Sequence, residues 1–117
     1  MGLFDRLRSS RASSPDHPAS ELAYMRDWIA QRSGVEGFVE PKTTVTDLTV
    51  VLVAGDGEWT RRRVGSERDA RRLSGQLQIP IYDVQKIGYP QRMRDHDARR
   101  RILRQRAQRA QREELEG

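Results

Sequence analysis

The sequence predicts an α+β domain: a small, mostly antiparallel sheet of three to four strands with two packed helices, followed by a long basic C-terminal helix. Three observations predict this class. Residues 50–54 are apolar at every position, which is typical of a strand covered on both faces. An Asp56-Gly57 pair joins them to a second strand-like run, residues 59–64, and predicts a hairpin turn whose two central residues have positive φ. Helix formers without Gly or Pro fill residues 91–116.

The first 19 residues are predicted to be a flexible segment with a short amphipathic start. Leu3, Phe4 and Leu7 share one side of a helical turn or two. Residues 9–19 are rich in serine and contain two prolines, a composition typical of a linker. Because the first eight residues carry charges and no continuous apolar run, we do not expect a secretory signal.

The compact α+β domain is predicted to cover residues 20–90. Ser20 is expected to cap its first helix, since Met25 and Trp28 follow at helical spacing. Residues 38–40 and 43–46 suggest one or two short strands around a proline, which favours an edge or a bend.

The central hairpin comes next. Residues 50–54 are expected in the middle of the sheet. Three successive arginines, Arg61 to Arg63, put charge on both faces of the second strand, which therefore belongs at an edge.

A second helix and a last strand complete the domain. Ser66 is expected to cap this helix, and residues 79–84 form a strand that continues towards Ile87. One sheet with both helices on one face satisfies this order of elements. Because a domain of about 70 residues has a small core, stabilisation by a partner or by homodimer formation is an alternative to folding alone.

Basic charge is concentrated in the tail, residues 91–117. The chain has a net charge of +5, yet residues 1–90 hold 13 basic and 12 acidic side chains, whereas the tail holds nine arginines against five acids. Such segments attract polyanions, because each phosphate contact releases condensed counterions. The candidate nucleic-acid contacts in the tail are Arg99, Arg100, Arg101, Arg104, Arg106, Arg109 and Arg112.

A second candidate surface lies on the hairpin. Trp59, Arg61 and Arg63 share one face because side chains alternate along a strand. An aromatic residue among arginines can stack on bases and neutralise phosphates. The competing interpretation places Trp59 in the core and assigns the arginines to protection of the sheet edge.

Neither a catalytic site nor a metal or cofactor site is predicted. Asp95, His96 and Asp97 diverge on a helix, so one of the two aspartates is expected to cap the C-terminal helix. The absence of cysteine excludes thiolate sites within the chain. The spacing of the other carboxylates selects no acid–base pair.

The sequence therefore favours a non-catalytic, cytoplasmic interaction module that binds RNA, a ribonucleoprotein or an acidic protein surface through its C-terminal helix. One alternative is a peripheral adaptor that docks on a membrane through Leu3, Phe4 and Leu7. It would have no transmembrane segment, since a spanning helix needs about 20 apolar residues. Another is a small enzyme or accessory subunit, which would be favoured by a deep cleft lined by Glu40, Tyr82, Asp83 or His96.

Overall fold

A computed structural model describes residues 18–117. The elements in chain order are α1 (Pro18–Ala30), β1 (Glu36–Glu40), β2 (Thr49–Val53), β3 (Trp59–Arg63), α2 (Glu67–Leu77), β4 (Ile81–Asp83), α3 (Val84–Ile87) and α4 (Gln91–Glu116).

The four strands form one sheet in the order β3-β2-β1-β4. β1 and β3 both pair antiparallel with β2, whereas β4 pairs parallel with β1, with Tyr82 opposite Phe38. The predicted α+β class is confirmed, but the sheet is mixed rather than mostly antiparallel. The difference arises because α2 crosses the sheet before β4, and such a crossover returns the chain in the direction of β1.

β2 is the buried strand at the centre of the sheet, as predicted. Val50 and Leu52 face α1 and α2, where they pack with Trp28 and Leu73. Val51 lies on the opposite face in a second buried cluster. β3 lies at the edge, also as predicted, because its arginines could not be buried on both faces.

The two helices α1 and α2 share one face of the sheet, which confirms the expected packing. α2 begins where predicted: the Ser66 side chain accepts a hydrogen bond of 3.2 Å from the Asp69 amide. Gln78 ends it in the left-handed conformation, with φ of 57°.

Four local predictions are wrong. Ser20 lies inside the first helix, which begins at Pro18, and therefore does not cap it. Residues 43–46 form a turn, because the Thr43 hydroxyl accepts hydrogen bonds from the amides of Val45 and Thr46. The last strand ends at Asp83, since the Asp83 carboxylate accepts a hydrogen bond from the Gln85 amide and caps α3. In the hairpin turn only Gly57 has a positive φ, of 94°.

Candidate nucleic-acid interface

The first two turns of α4 pack on the face of the sheet opposite α1 and α2. Met93 is buried there among Phe38, Val51 and Val53. Gly57 lets the backbones approach, since a Cβ atom at this position would overlap the carbonyl oxygen of Arg92. The hairpin turn and the start of α4 are therefore in direct backbone contact.

Arg92 holds this contact with charged hydrogen bonds. Its Nε donates to the Ala54 carbonyl at 2.8 Å, and Nη2 donates to Glu36 Oε1 at 2.8 Å and to the Val53 carbonyl at 3.2 Å. Because charge-assisted hydrogen bonds are stronger than neutral ones, these contacts fix the direction in which α4 leaves the sheet.

The contact between α4 and the sheet ends one turn later. The Asp97 carboxylate accepts a hydrogen bond of 2.9 Å from Trp59 Nε1. Arg99 donates one of 3.1 Å to the Asp56 carbonyl. Pro90 is the N-cap residue of α4 and provides no side-chain cap, so the prediction that Asp95 or Asp97 caps this helix is wrong.

Every side chain from residue 99 onwards is exposed. Residues 100–116 form a rod about 25 Å long at about 1.5 Å per residue. Within the range 18–117, Arg92 is the one arginine of α4 that forms an ion pair with a carboxylate. The six arginines from Arg100 to Arg112 therefore present their charge to solvent.

The hairpin arginines have partners within the domain. Trp59, Arg61 and Arg63 share the sheet face towards α4, as the alternation of side chains requires. Arg61 stacks over Trp59, with 5.1 Å from the guanidinium carbon to the ring centroid, and forms a bidentate ion pair with Glu40 at 2.7 and 2.9 Å. Arg63 lies 3.4 Å from the exposed carboxylate of Asp47. The structure thus places these three side chains on one face. Trp59 and Arg61, however, already form hydrogen bonds to residues of the same domain.

Glu40 is the centre of a half-buried hydrogen-bond cluster at the base of α4. Its carboxylate accepts hydrogen bonds from Arg61, from the Thr49 hydroxyl at 2.6 Å and from the Tyr89 hydroxyl. Burial raises the pKa of Glu40, but the hydrogen bonds outweigh burial and bring the pKa to about 2. Burial, together with the hydrogen bond to Glu40, raises the pKa of Tyr89. Glu40 is thus an ionised anchor for the segment that leads into α4, and not a proton donor near neutral pH.

An open groove of about 430 Å³ lies beside β4. Tyr82 and Asp83 line it, but Glu40 and His96 do not. The Asp83 carboxylate is already engaged as the cap of α3. Only two of the four side chains that the sequence analysis named as the lining of a catalytic cleft therefore line this groove. The other lining residues are Val39, Pro41, Leu48, Glu67, Ala70, Arg71, Ser74, Ile81 and Gln85.

Two further sequence-based hypotheses concern metals and membranes. In the part of the chain that the structure describes, no group of three or more His, Cys, Asp and Glu side chains is arranged to hold a metal ion. The membrane-docking candidates Leu3, Phe4 and Leu7 lie outside the described residues. Among the helices from residue 18 onwards, none combines the length and the apolar character that crossing a bilayer requires.

The docked start of α4 is the feature that the sequence analysis missed. Arg92, Met93, His96 and Asp97 recur at helical spacing and form one face over two turns. The pattern disappears when all 26 residues of α4 are considered together, because the remaining turns are polar on every side. The pattern is visible when the first two turns of α4 are considered alone.

Comparison of the chain with protein-family models, with curated proteins and with solved structures gives no match.

Proposed function

We propose that the protein is a non-catalytic interaction module that binds RNA through the exposed arginines of α4. The observation that carries the proposal is the set of six arginines on a helix that has left the sheet, with no carboxylate partner among residues 18–117. A guanidinium group donates paired hydrogen bonds to phosphate oxygens, so this helix suits a nucleic-acid backbone. A cytoplasmic location forms part of the proposal, since RNA is abundant there.

We restrict the proposed contacts to the tail. Arg100, Arg101, Arg104, Arg106, Arg109 and Arg112 are the proposed phosphate contacts. Arg99 lies at the boundary, because it also reaches the hairpin turn. Trp59 and Arg61 are left out of the proposed interface, since their hydrogen bonds to Asp97 and Glu40 would have to break first.

The proposal is tested by titrating fluorescent RNA with the full-length protein at several salt concentrations. Six phosphate contacts predict an affinity that falls at least about a hundredfold between about 50 and 200 mM salt. The triple variant Arg101→Gln/Arg104→Gln/Arg109→Gln should weaken binding at least about tenfold.

The matched control also removes three exposed arginines, but on α2: Arg68→Gln/Arg71→Gln/Arg72→Gln. It should change the affinity by less than about threefold, since net charge alone has a weaker effect than direct contacts. Equal losses in the two triple variants, or an affinity independent of salt, would contradict the proposal.

A further inference from the structure

We infer that the exposed part of α4 binds inside the major groove of a double-helical RNA segment that an internal loop has opened, so that both phosphate backbones contact it. This inference rests on the proposed function and specifies the form of RNA that the helix recognises.

The arginines of the exposed part of α4 lie on opposite sides of the helix axis. With about 100° per residue, Arg100 and Arg104 lie on one side of α4, and Arg106 and Arg109 lie about 190° away from them. A flat anionic surface can contact only one of these sides. A groove has two phosphate walls, and it can therefore contact both.

The width of α4 limits which grooves can hold it. An α-helix with its side chains is about 10–12 Å across, so it needs a groove about as wide as the major groove of B-form DNA, which is about 12 Å. The major groove of a regular RNA duplex is deep and narrow. An internal loop interrupts the base pairing and lets the two backbones separate, so among RNA duplexes an interrupted one fits α4 better than a regular one.

Stacking groups are absent from the exposed part of α4. Proteins that bind single strands use aromatic side chains on which the bases stack. Residues 99–117 contain no aromatic residue, and the nearby Trp59 is held against α4 by its hydrogen bond to Asp97. The exposed helix therefore offers charge to phosphates but no aromatic platform to unpaired bases.

α4 is anchored at its start. Buried Met93 and the hydrogen bonds of Arg92 fix its first turns, and Arg99 makes the last described contact with the hairpin. The arginines from residue 100 to residue 112 extend for about 18 Å beyond this point. The acids Glu113, Glu114 and Glu116 end the basic stretch. A segment of this length occupies less than one turn of a double helix.

The test compares three fluorescent RNAs with equal numbers of phosphates: a hairpin with an internal loop, an uninterrupted hairpin and an unstructured single strand. The full-length protein should bind the interrupted hairpin at least about tenfold more tightly than either of the others. Binding to the single strand or to the uninterrupted hairpin that is as tight would overturn the inference and leave the proposed function standing. Absence of binding to all three would overturn both.

Two charge-matched variants test the contact with both walls. Arg100→Gln/Arg104→Gln and Arg106→Gln/Arg109→Gln each remove two charges, from opposite sides, and Gln is about as good a helix former as Arg. Each variant should weaken binding to the interrupted hairpin by a similar factor and should reduce the salt dependence by one to two phosphate contacts. A loss confined to one variant, with equal helix content by circular dichroism, would indicate one-sided contact and overturn the inference.

Discussion

The indole Nε1 of Trp59 donates a hydrogen bond of 2.9 Å to the carboxylate of Asp97, 38 residues further along the chain. This contact joins the edge strand β3 to the second turn of α4. It gives an internal role to Trp59, for which the sequence left both base stacking and a place in the core open, and to Asp97, which the sequence predicted as a possible helix cap. One further contact, from Arg99 to the Asp56 carbonyl in the hairpin turn, follows before α4 extends into solvent.

Loss of this hydrogen bond should destabilise the domain. Asp97→Ala is expected to lower the free energy of unfolding by about 1–2 kcal/mol, because the bond has a charged acceptor and its donor is half-buried. Urea denaturation, followed by circular dichroism, measures the change.

The matched control is Asp95→Ala, two residues earlier on an exposed part of α4, where the carboxylate accepts a hydrogen bond only from Gln91 within the described range. It should cost less than about 0.5 kcal/mol. In a double-mutant cycle, Trp59→Phe should then add little to Asp97→Ala. Full additivity of the two changes would show that the indole and the carboxylate do not interact.

Gly57→Ala should be among the most destabilising substitutions in the hairpin. The residue has a φ of 94°, and an added Cβ would overlap the carbonyl oxygen of Arg92. We expect a loss of at least about 2 kcal/mol, since both the turn and the docking of α4 must shift. Gly75→Ala, with open space around the added Cβ, should be neutral or stabilise α2 by up to about 1 kcal/mol. Equal effects would contradict the close approach of α4 to the turn.

Glu40 should make the stability of the domain depend on acid pH. Its folded-state pKa of about 2 lies below the ordinary value of 4.5, so its stabilising contribution is complete above about pH 4.5 and is lost as the pH falls through 2. At about 1.4 kcal/mol per pKa unit the shift corresponds to at most about 3 kcal/mol, and solvent screening of this half-buried cluster reduces the contribution below that value. Urea unfolding of the wild type and of Glu40→Gln between pH 2 and pH 7 measures it.

The difference in unfolding free energy between wild type and Glu40→Gln should shrink as the pH falls from 4.5 to 2. Glu114→Gln, which changes an exposed glutamate at the end of α4, should leave the pH dependence of the unfolding free energy between pH 4.5 and pH 2 unaltered. A constant difference between wild type and Glu40→Gln over this range would show that the hydrogen-bond cluster does not favour the ionised carboxylate.

Gln78→Gly should stabilise the protein. Gln78 has a φ of 57° at the end of α2, a conformation in which a side chain is strained and glycine is not. We expect a gain of about 0.5–1 kcal/mol in the free energy of unfolding. Gln76→Gly, placed inside α2, should instead cost about 1 kcal/mol. A loss of stability in both variants would contradict the left-handed end of α2.

The elements that the sequence predicts correctly are those with a local signal. The apolar run of β2, the arginines of β3 and the Ser66 cap each restrict the backbone through neighbouring residues, and all three are found as predicted. The parallel pairing of β4 has no such signal, because strand direction depends on how α2 crosses the sheet. The early end of β4 follows from a single side chain, since Asp83 caps the next helix.

In the candidate site, too, only the features with a local signal could be predicted from the sequence. The exposed arginines of α4 can be found in the sequence, because charge density and helix propensity are properties of the segment itself. The engagement of Arg61 by Glu40 could not be found, since these residues lie 21 positions apart and meet only through the antiparallel register of three strands.

The sequence by itself determined the α+β class, the buried central strand and the basic C-terminal helix, because hydrophobic periodicity and charge act locally. Only the tertiary structure decided which arginines are free. Three contacts join α4 to segments that are distant in the chain: the packing of Met93, the close approach at Gly57 and the hydrogen bond from Trp59 to Asp97. They hold the first turns of α4 against the sheet, while the later turns stay exposed.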